Sequence, residues 1–513
     1  MLKKIYLIGV DIGTNGTKSA IFDNSGNLIS EAFEESKLYY PELGAVEQDP
    51  DEIYLSVINT LKNCVQKSDI DVRNVEGIAI DGQMAGICSI DNDWSAATPY
   101  DSWLDTRCAP YITKLKTEES KIISLTGGPP SFTHGPKMLW WKNEKPEVFK
   151  KIVKFITPSA YVAGKLASLK AFDAYIDYTY IHFSCFADIL NKCWSEDLCK
   201  DFGLPLEKLP KIVKPWEIIG KLDRKAAELT LLNSGIPIAA GCGDTTATML
   251  GAAFNRAGMI FDVAGTASVF SVCLDKFIPD VKNKTLFTGR LAAEDLWYSL
   301  AYINGGGLNL RWFRDEILSN SSFSKSIKDP YILLDEMASK VKAGSEKLFF
   351  IPHLGGRMCP NISYLKGSWI GLDWRHGISH MYRSLLEAVA FEYAIYMDIE
   401  KSLVPELKFE KARVIGGGAK SNLWNEIKSN VLGIPYEKLK REEFGVFGSS
   451  ILAGYATGIY KDLKNIADKF NKIEYRIEPD IKIYEFYQQY VNYYKFLLEE
   501  TKSIFKNLES LKD

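Results

Sequence analysis

The sequence contains no long hydrophobic run and no marked excess of charge, and each absence excludes a class of protein. No apolar stretch approaches the roughly 20 residues that a membrane-spanning helix needs. The 62 basic and 65 acidic residues give a net charge of -3 without a long basic run, so a cationic nucleic-acid-binding face is not expected. The short apolar run before Asp11 predicts a first strand rather than a signal peptide. We therefore expect neither a membrane nor a nucleic acid as partner.

Cysteine and histidine are scarce in the patterns that metal sites and disulfides need. The nine cysteines are scattered singly from Cys64 to Cys359, no CxxC pair occurs, and only five histidines are present. This distribution disfavours zinc sites and a disulfide framework, so we expect a reducing, cytoplasmic environment. The sequence does not fix the oligomeric state, and a homodimer is one assembly that it allows.

The chain is long enough for two or more hydrophobic cores, because 513 residues exceed what a single core usually supports. Two of its segments resemble each other: GVDIGTNGTKSAIFD (9–23) and GMIFDVAGTASVFSVC (258–273) both have the order strand, Gly-Thr turn, strand. Asp262 loosely corresponds to Asp11 in this comparison. We predict two halves built on related sheets, each providing one phosphate-binding turn to a shared cleft.

Three glycine-rich turns follow predicted strands, at residues 13–16, 265–266 and 416–419. Glycine permits a positive φ and a close approach of the backbone, so N–H groups can point at phosphate oxygens. None of the turns has the spacing of a P-loop or of a GxGxxG fingerprint. A plain hairpin turn explains each one alone. The set of three, two of them sharing a pattern, favours phosphate binding.

Two aspartates stand where a predicted strand meets a turn. Asp11 suits Mg²⁺, which typically uses one or two carboxylates together with substrate phosphates; capping of the turn is the alternative. Asp244, in GCGDTT, either caps the following helix or accepts the proton of a substrate hydroxyl. The segment SWLDTR adds Trp103, Asp105 and Arg107, which suit hydroxyl recognition, and a core position is the alternative for Trp103.

The hydrophobic pattern predicts the main elements of secondary structure. These are strands at 5–10 and 18–22, a helix at 50–66, two strands within 75–91 interrupted at 82–86, a strand followed by a helix of small residues at 236–254, and a helical tail at about 481–508. Residues 108–240 read as mostly helical.

Taken together, the chain resembles the FGGY carbohydrate kinases over nearly its full length. The segments that carry the resemblance, in family order, are DIGTNGTKSAIFD (11–23), GAVEQDPDEIY (44–54), GPKMLWWKNEKPEVFKK (135–151), GCGDTTATMLGA (241–252), VAGTAS (263–268), GSWIGLDWRHGISHMYRSLLEAVAF (367–391) and IGGGAKSNLW (415–424). His134 and Trp141 depart from the residue types usual at the first signature.

The resemblance implies two actin-like, ribonuclease-H-type α/β domains, residues 1–254 and 255–513, around a cleft for ATP and a sugar. It implies Asp244 as general base and Asp11 as the residue that holds Mg²⁺ through water. The phosphates of ATP would lie against Gly13, Thr14, Asn15, Thr17, Lys18, Gly265 and Thr266, and adenosine against Gly416, Gly417, Gly418, Ala419 and Asn422. The sugar would lie against Gln83, Met84, Ala85, Trp103, Asp105, Asp244 and Thr245.

Within the family, GQMAG (82–86) and WLDTR (103–107) are most similar to the xylulokinases, which usually read GQMHG and WNDGR. Ala85 stands in place of the usual His, and Thr245 in place of the usual Asn or Gln. D-xylulose is therefore the expected substrate, with ribulose, L-xylulose or a glycerol-like polyol as alternatives. The rival classes are an actin-like ATPase, filament or chaperone and a sugar-binding regulator without catalysis. The first class would share the phosphate turns but would not need WLDTR, GQM and Asp244 together, and the presence of Asp11 and Asp244 argues against the second.

Overall fold

The computed structural model describes residues 4–318 and 329–511, and the first half of the chain is an α/β domain. Its strands are β1 (Tyr6–Ile12), β2 (Gly16–Asp23), β3 (Leu28–Glu35), β4 (Glu47–Gln48), β5 (Val75–Gly82), β6 (Ile87–Ile90), β7 (Ala96–Asp101), β8 (Lys154–Ile156), β9 (Tyr175–Asp177), β10 (Ala187–Asp188), β11 (Cys193–Trp194), β12 (Lys211–Val213), β13 (Ile218–Lys221) and β14 (Pro237–Gly243). Its helices are α1 (Pro50–Lys67), α2 (Ala109–Leu115), α3 (Glu119–Thr126), α4 (His134–Glu144), α5 (Pro146–Lys151), α6 (Pro158–Leu166), α7 (Glu196–Phe202), α8 (Arg224–Thr230) and α9 (Asp244–Gly251).

The second half of the chain is also α/β. Its strands are β15 (Met259–Ala264), β16 (Ser268–Leu274), β17 (Phe287–Arg290), β18 (Trp297–Ile303), β19 (Phe349–Ile351), β20 (Ser368–Ile370), β21 (Lys411–Ile415), β22 (Tyr436–Leu439) and β23 (Ile473–Ile477). Its helices are α10 (Gly306–Trp312), α11 (Pro330–Ser339), α12 (Ile378–Leu403), α13 (Asn422–Leu432), α14 (Phe444–Ala456), α15 (Ile466–Phe470) and α16 (Ile481–Leu508).

The two central sheets repeat one topology. The first has the order β13-β14-β5-β1-β2-β3, and the second has the order β17-β18-β16-β15-β21-β22-β23. In each, an antiparallel meander (β1–β2–β3, or β15–β16–β18) is joined to two parallel strands (β5 and β14, or β21 and β22). The predicted pair of related sheets and the actin-like α/β fold are therefore confirmed.

Alternate residues of each strand define the two faces of the first sheet, because side chains alternate across a strand. Ile8, Ile78 and their neighbours pack against α1, α6 and α8. Leu7, Ala79 and their neighbours pack against α9 and α14. Thus α14, from the second half of the chain, covers one face of the first sheet.

Helices α9 and α14 occupy equivalent positions after β14 and β22, and they pack closely against each other between the two sheets. Small residues allow this approach, since a Cβ on Gly448 would lie 1.9 Å from the carbonyl oxygen of Ala247. Met249 of α9 and Phe444 of α14 also join Phe261 of the second sheet in one apolar cluster. The base of the cleft is therefore a shared hydrophobic layer.

Most predicted elements are present at about their predicted bounds, including the first helix and the helical tail. Residues 108–240 contain the seven helices α2 to α8, but the prediction missed the short strands β8 to β13 within 154–221. These strands have only two to four residues each, too few to produce an alternating pattern. All nine cysteines are unpaired, as expected. Within residues 4–318 and 329–511, no helix is both long and apolar enough to cross a membrane.

Candidate active site

Three parallel strands of the first sheet end side by side, and the residues that follow them meet at one edge. Ile12 at the end of β1 is in register with Gly82 at the end of β5, and Gly82 is in register with Gly243 at the end of β14. The segments that begin at Gly13, Gln83 and Asp244 are therefore neighbours. Ligands of open α/β sheets bind at such carboxyl ends.

Asp244 is the first residue of α9, and its side chain is partly exposed at this edge. It accepts hydrogen bonds from the backbone N–H and the hydroxyl of Thr245. Burial of the carboxyl group, followed by the charge of Asp11, raises the pKa of Asp244 to about 7, and the bonds from Thr245 oppose this rise. A carboxylate with a pKa near neutrality is suited to accept a proton at physiological pH.

Asp11 lies beside a second carboxylate, Asp81, that the sequence analysis did not single out. The two are register partners on β1 and β5. Burial raises the pKa of Asp11 to about 6; a hydrogen bond with Asp81 opposes this rise and the charge of Glu443 adds to it. Oδ1 of Asp11 is buried without a hydrogen-bond partner in the described part of the chain. Such an orphaned carboxylate oxygen fits a Mg²⁺ ion or one of its water ligands.

The first glycine turn is tied to the predicted sugar loop through Thr14. The Thr14 hydroxyl donates to Oε1 of Gln83 at 3.0 Å and accepts from Nε1 of Trp103 at 2.9 Å. Gln48 is buried and accepts from Nε2 of Gln83 at 2.6 Å, and its own Nε2 lies 3.4 Å from the carbonyl oxygen of Thr14. The phosphate turn and the sugar loop are therefore one hydrogen-bonded unit.

The other residues predicted for the first phosphate turn differ in their accessibility. The N–H of Gly13 donates to the carbonyl oxygen of Gly16 at 3.0 Å and closes the turn, and Asn15 is exposed. The hydroxyl of Thr17 is buried and lies 2.7 Å from the hydroxyl of Ser56 on α1. The Thr17 side chain therefore faces α1 rather than the cleft.

Lys18 is engaged in ion pairs across the cleft base. Its Nζ lies 2.7 Å from a carboxylate oxygen of Glu443, which precedes α14, and 3.4 Å from one of Glu31. The pair with Glu443 joins the two halves of the chain. A phosphate that binds Lys18 must share the ammonium group with these acids.

The loop after β5 begins the predicted sugar site. Met84 is buried against Gly243, where a Cβ would lie 2.6 Å from the Met84 Cε. Ala85 has φ of 64° and is partly exposed. Because the left-handed region disfavours residues with a Cβ, this loop conformation is maintained at some cost in backbone energy. Thr245, next to Asp244, is also partly exposed.

Asp105 belongs to a buried ion cluster centred on Arg107. The guanidinium group lies 2.6 Å from Glu47, 3.1 Å from Asp101 and 2.8 Å from Asp105. Asp105 also accepts a hydrogen bond from the N–H of Val46 at 3.0 Å. These three carboxylates are close enough together to hold a metal ion, but Arg107 already supplies their positive charge. Asp105 therefore fixes this loop, and its contact with a sugar stays a prediction.

The turn after β15 packs against the glycine turn after β21. The carbonyl oxygens of Gly265 and Thr266 accept from the N–H groups of Gly307 at 2.9 Å and Leu308 at 3.0 Å. Gly416 has φ of 87°, and a Cβ there would lie 2.8 Å from the carbonyl oxygen of Ala264. The two turns are thus in direct contact, as a shared nucleotide site requires.

The other residues predicted to contact adenosine follow Gly416. Gly417 is exposed with open space around its Cα, and Gly418 packs against Ala264 and Trp424. Ala419 is buried, whereas Asn422, the first residue of α13, is exposed. An exposed backbone segment with a side-chain amide beyond it is open to a ligand.

The correspondence between Asp262 and Asp11 is corrected by the structure. Asp262 lies three residues before Gly265, but Asp11 lies two residues before Gly13. A shift of one residue moves a strand side chain to the opposite face. Asp262 accordingly points into the core, 2.6 Å from Nζ of Lys428 and 2.8 Å from the hydroxyl of Tyr393.

Some residues of this site could have been found from the sequence. Asp81 ends an apolar run shortly before a glycine, as Asp11 does, and Gln48 lies in the quoted EQDP segment. Ser449, which donates to Oδ2 of Asp81 at 2.5 Å, carries no such signal. Its contact depends on how α14 packs across the first sheet.

Two family models match this chain. The N-terminal domain of the FGGY family of carbohydrate kinases matches residues 6–251, and the C-terminal domain of that family matches residues 262–457. Both matched segments include the strand ends and turns described above.

Similar proteins that match over nearly the full length of this chain include kinases named for two different substrates. A xylulose kinase of Bacillus subtilis is 26% identical over 512 residues, which covers 99% of each chain. A gluconokinase of the same organism is 27% identical over 482 residues, 92% of each chain. The ligand-bound crystal structure of a xylulose kinase from Lactobacillus acidophilus superposes with a TM-score of 0.88 at 23% identity, covering 98% of this chain and 99% of that one. This structural likeness establishes the shared fold.

Proposed function

Since this chain belongs to the FGGY family of carbohydrate kinases, we propose that it transfers the terminal phosphoryl group of ATP to a hydroxyl group of a ketopentose, D-xylulose first among them. The chain is an ATP-dependent sugar kinase by family. The observation that carries the proposal is the meeting of Asp244, the Thr14 turn and the Gln83 loop at one sheet edge. These parts supply a base, a phosphate turn and a sugar contact within one cleft.

In the proposed reaction Asp244 accepts the proton of the sugar hydroxyl as its oxygen attacks the terminal phosphorus of ATP. The bond from that phosphorus to the bridging oxygen breaks, and ADP leaves with the electron pair. No lysine or arginine of the described residues contributes to the pKa of Asp244, which burial raises toward neutrality. Such a base contributes roughly 10²–10⁴-fold to the rate.

ATP would lie between the two glycine turns, with its phosphates between the turn at Gly13–Asn15 and the turn at Gly265–Thr266. The adenosine would lie on Gly416–Ala419 with Asn422 beside it. Asp11 would hold Mg²⁺, which, when bound, neutralises phosphate charge during transfer. Lys18 would contact phosphate after exchange from Glu443. Thr17 would contact phosphate only through its backbone, because its hydroxyl faces Ser56.

The sugar would lie against Gln83, Met84, Ala85, Trp103 and Thr245. Gln83 and Trp103 are oriented by Thr14, so binding of phosphate and sugar would order the same hydrogen-bonded unit. Ala85 provides only a methyl group, which leaves space for a different sugar. The gluconokinase relative makes an aldonate the second candidate substrate.

The test is a coupled assay of ADP release with D-xylulose, D-ribulose, L-xylulose, glycerol and D-gluconate. We expect the largest kcat/KM with D-xylulose and ADP release that depends on the sugar. Preference for gluconate would select the second candidate, and ADP release without any sugar would contradict the kinase proposal. Ala85→His is the matched variant. An increase in kcat/KM for D-xylulose alone would show that one sugar hydroxyl lacks a protein partner when residue 85 is alanine.

A further inference from the structure

The carboxyl groups of Asp11 and Asp81 lie side by side near the ends of β1 and β5, and neither is within ion-pair distance of a basic side chain of the described residues. Asp81 is fully buried, and it is the register partner of Asp11 on the neighbouring strand. The two carboxyl groups are close enough to form a hydrogen bond with each other. Two ionised carboxylates at this distance repel each other and have no proton to share. Either a proton shared by the pair or a cation bound between the two groups removes this repulsion.

The protein itself does not supply that positive charge. Oδ2 of Asp81 accepts from the hydroxyl of Ser449, but Oδ1 is buried and has no hydrogen-bond partner in the described part of the chain. Oδ1 of Asp11 is unpartnered in the same way. The charge of Lys18 acts on Asp11, but its ammonium group is paired with Glu443 at 2.7 Å and with Glu31 at 3.4 Å.

Buried acids are treated differently in the second half of the molecule. Asp262 is fully buried too, but Lys428 lies 2.6 Å from it. Its register partner on β21 is Val414, whereas the register partner of Asp11 is Asp81. The chain therefore compensates the carboxylate of Asp262, which faces the core, with a lysine, and leaves Asp11 and Asp81 near the strand ends without one.

We propose that Asp81 is a second carboxylate of the divalent-cation site, so that two carboxylates on neighbouring strands, Asp11 and Asp81, hold the cation that accompanies ATP. Mg²⁺ is held by one or two carboxylates together with substrate phosphates, so the pair fits its preference. The inference rests on the proposed function, because it takes the cation to be that of the ATP substrate. Asp81 would raise the affinity for the cation before the nucleotide arrives.

The experiment is a titration of the full-length, nucleotide-free protein with Mn²⁺. Binding is measured as the decrease of the electron paramagnetic resonance signal of free Mn²⁺. Wild type is expected to bind one ion. Asp81→Asn keeps the shape of the side chain and should weaken binding by at least about tenfold. Asp11→Asn should retain weakened binding, and Asp11→Asn/Asp81→Asn should bind none. Glu443→Gln, which removes a nearby charge but no ligand, should change the affinity less than about threefold.

The proposal would be overturned if Asp81→Asn bound Mn²⁺ as tightly as wild type does. It would also be overturned if wild type bound no Mn²⁺ without nucleotide. In either case a proton shared by Asp11 and Asp81 would explain the pair. If Asp81→Asn does not fold, the comparison of Asp11→Asn with wild type decides, because complete loss in that variant contradicts the residual binding that Asp81 is expected to provide. Mn²⁺ binding needs no sugar, so the two proposals fail separately. If the protein phosphorylates a sugar but its Mn²⁺ binding does not depend on Asp81, only this inference is overturned. If Mn²⁺ binding depends on Asp81 but no sugar is phosphorylated, only the proposed function is overturned.

Discussion

The two halves of this chain share a sheet topology but use the ends of equivalent strands differently. In the first half, the segments after β1, β5 and β14 contain or adjoin Asp11, Asp81 and Asp244. In the second half, the segments after β15 and β21 are glycine turns, and Asp262, three residues before the first of them, faces the core. We infer that the first half carries the chemistry and the second half holds the nucleotide.

A shift of one residue is sufficient for this difference. With Asp262 three residues before its turn, the side chain meets Lys428 and Tyr393, and its charge pairs with the buried ammonium group of Lys428. With Asp11 two residues before its turn, the side chain faces α14 and the cleft, where Gly445 lies so close that a Cβ would be 2.9 Å from Oδ2. Repeated folds can thus divide stability and catalysis between equivalent strands.

The largest expected effect is that of Asp244→Asn, which keeps the size of the side chain but removes the proton acceptor. Turnover should fall roughly 10²–10⁴-fold because the sugar hydroxyl loses its base. Nucleotide binding, measured by fluorescence titration with an ATP analogue, should remain. Turnover close to that of wild type would remove Asp244 from the reaction and end the assignment of chemistry to the first half.

The comparison of Asp11 with Asp262 is tested by the same substitution in each half. Asp262→Asn leaves the buried ammonium group of Lys428 unpaired and should destabilise the protein by about 3–5 kcal/mol. Asp11→Asn removes one of two repelling charges, so stability should be unchanged or higher while activity is lost. Thermal unfolding and the coupled assay measure the two properties in both variants.

A control separates the lost charge from the changed shape. Asp262→Asn/Lys428→Met removes both charges, so it should be more stable than Asp262→Asn alone. If Asp262→Asn instead loses activity at full stability, Asp262 faces the ligand in solution and the division between the halves is wrong.

The adenosine turn of the second half is tested with two neighbouring glycines. Gly416→Ala places a Cβ 2.8 Å from the carbonyl oxygen of Ala264 at φ of 87°, so the turn must shift. Since the strain is about 1–2 kcal/mol, KM for ATP should rise about tenfold, with KM for sugar unchanged. Gly417→Ala, where nothing lies within 4 Å, is the matched control and should have a smaller effect. An equal rise of both KM values in Gly416→Ala would argue against a nucleotide-specific role.

The smallest expected effect concerns Thr14, which connects the phosphate turn to the sugar loop. Thr14→Val removes the hydroxyl that contacts Gln83 and Trp103, a loss of about 1 kcal/mol per hydrogen bond. Both KM values should rise severalfold, because one unit orders both ligands. Thr266→Val, at the exposed tip of the second turn, should affect only the KM for ATP. A Thr14→Val variant with changed KM for one substrate alone would show that the unit is not shared.

The sequence was sufficient to predict the parts of this site that lie within one strand and its turn. The Gly-Thr turns, the strand-to-helix step at Asp244 and the helix at 50–66 are local patterns, and the structure contains them. The ion pair of Lys18 with Glu443 and the hydrogen bonds from Val46 to Asp105 and from Ser449 to Asp81 were not predictable, because each partner comes from a distant segment. The false correspondence of Asp262 arose because a loose match ignores which face of a strand a residue occupies.

The most direct measurement is a crystal structure of the protein with Mg²⁺, a non-hydrolysable ATP analogue and D-xylulose. The account predicts phosphates between the turns at Gly13 and Gly265, adenosine against Gly416–Ala419, and a sugar hydroxyl within hydrogen-bonding distance of Asp244. A nucleotide bound away from either glycine turn, or a sugar with no hydroxyl near Asp244, would contradict a single cleft in which the first half does the chemistry and the second half holds the nucleotide.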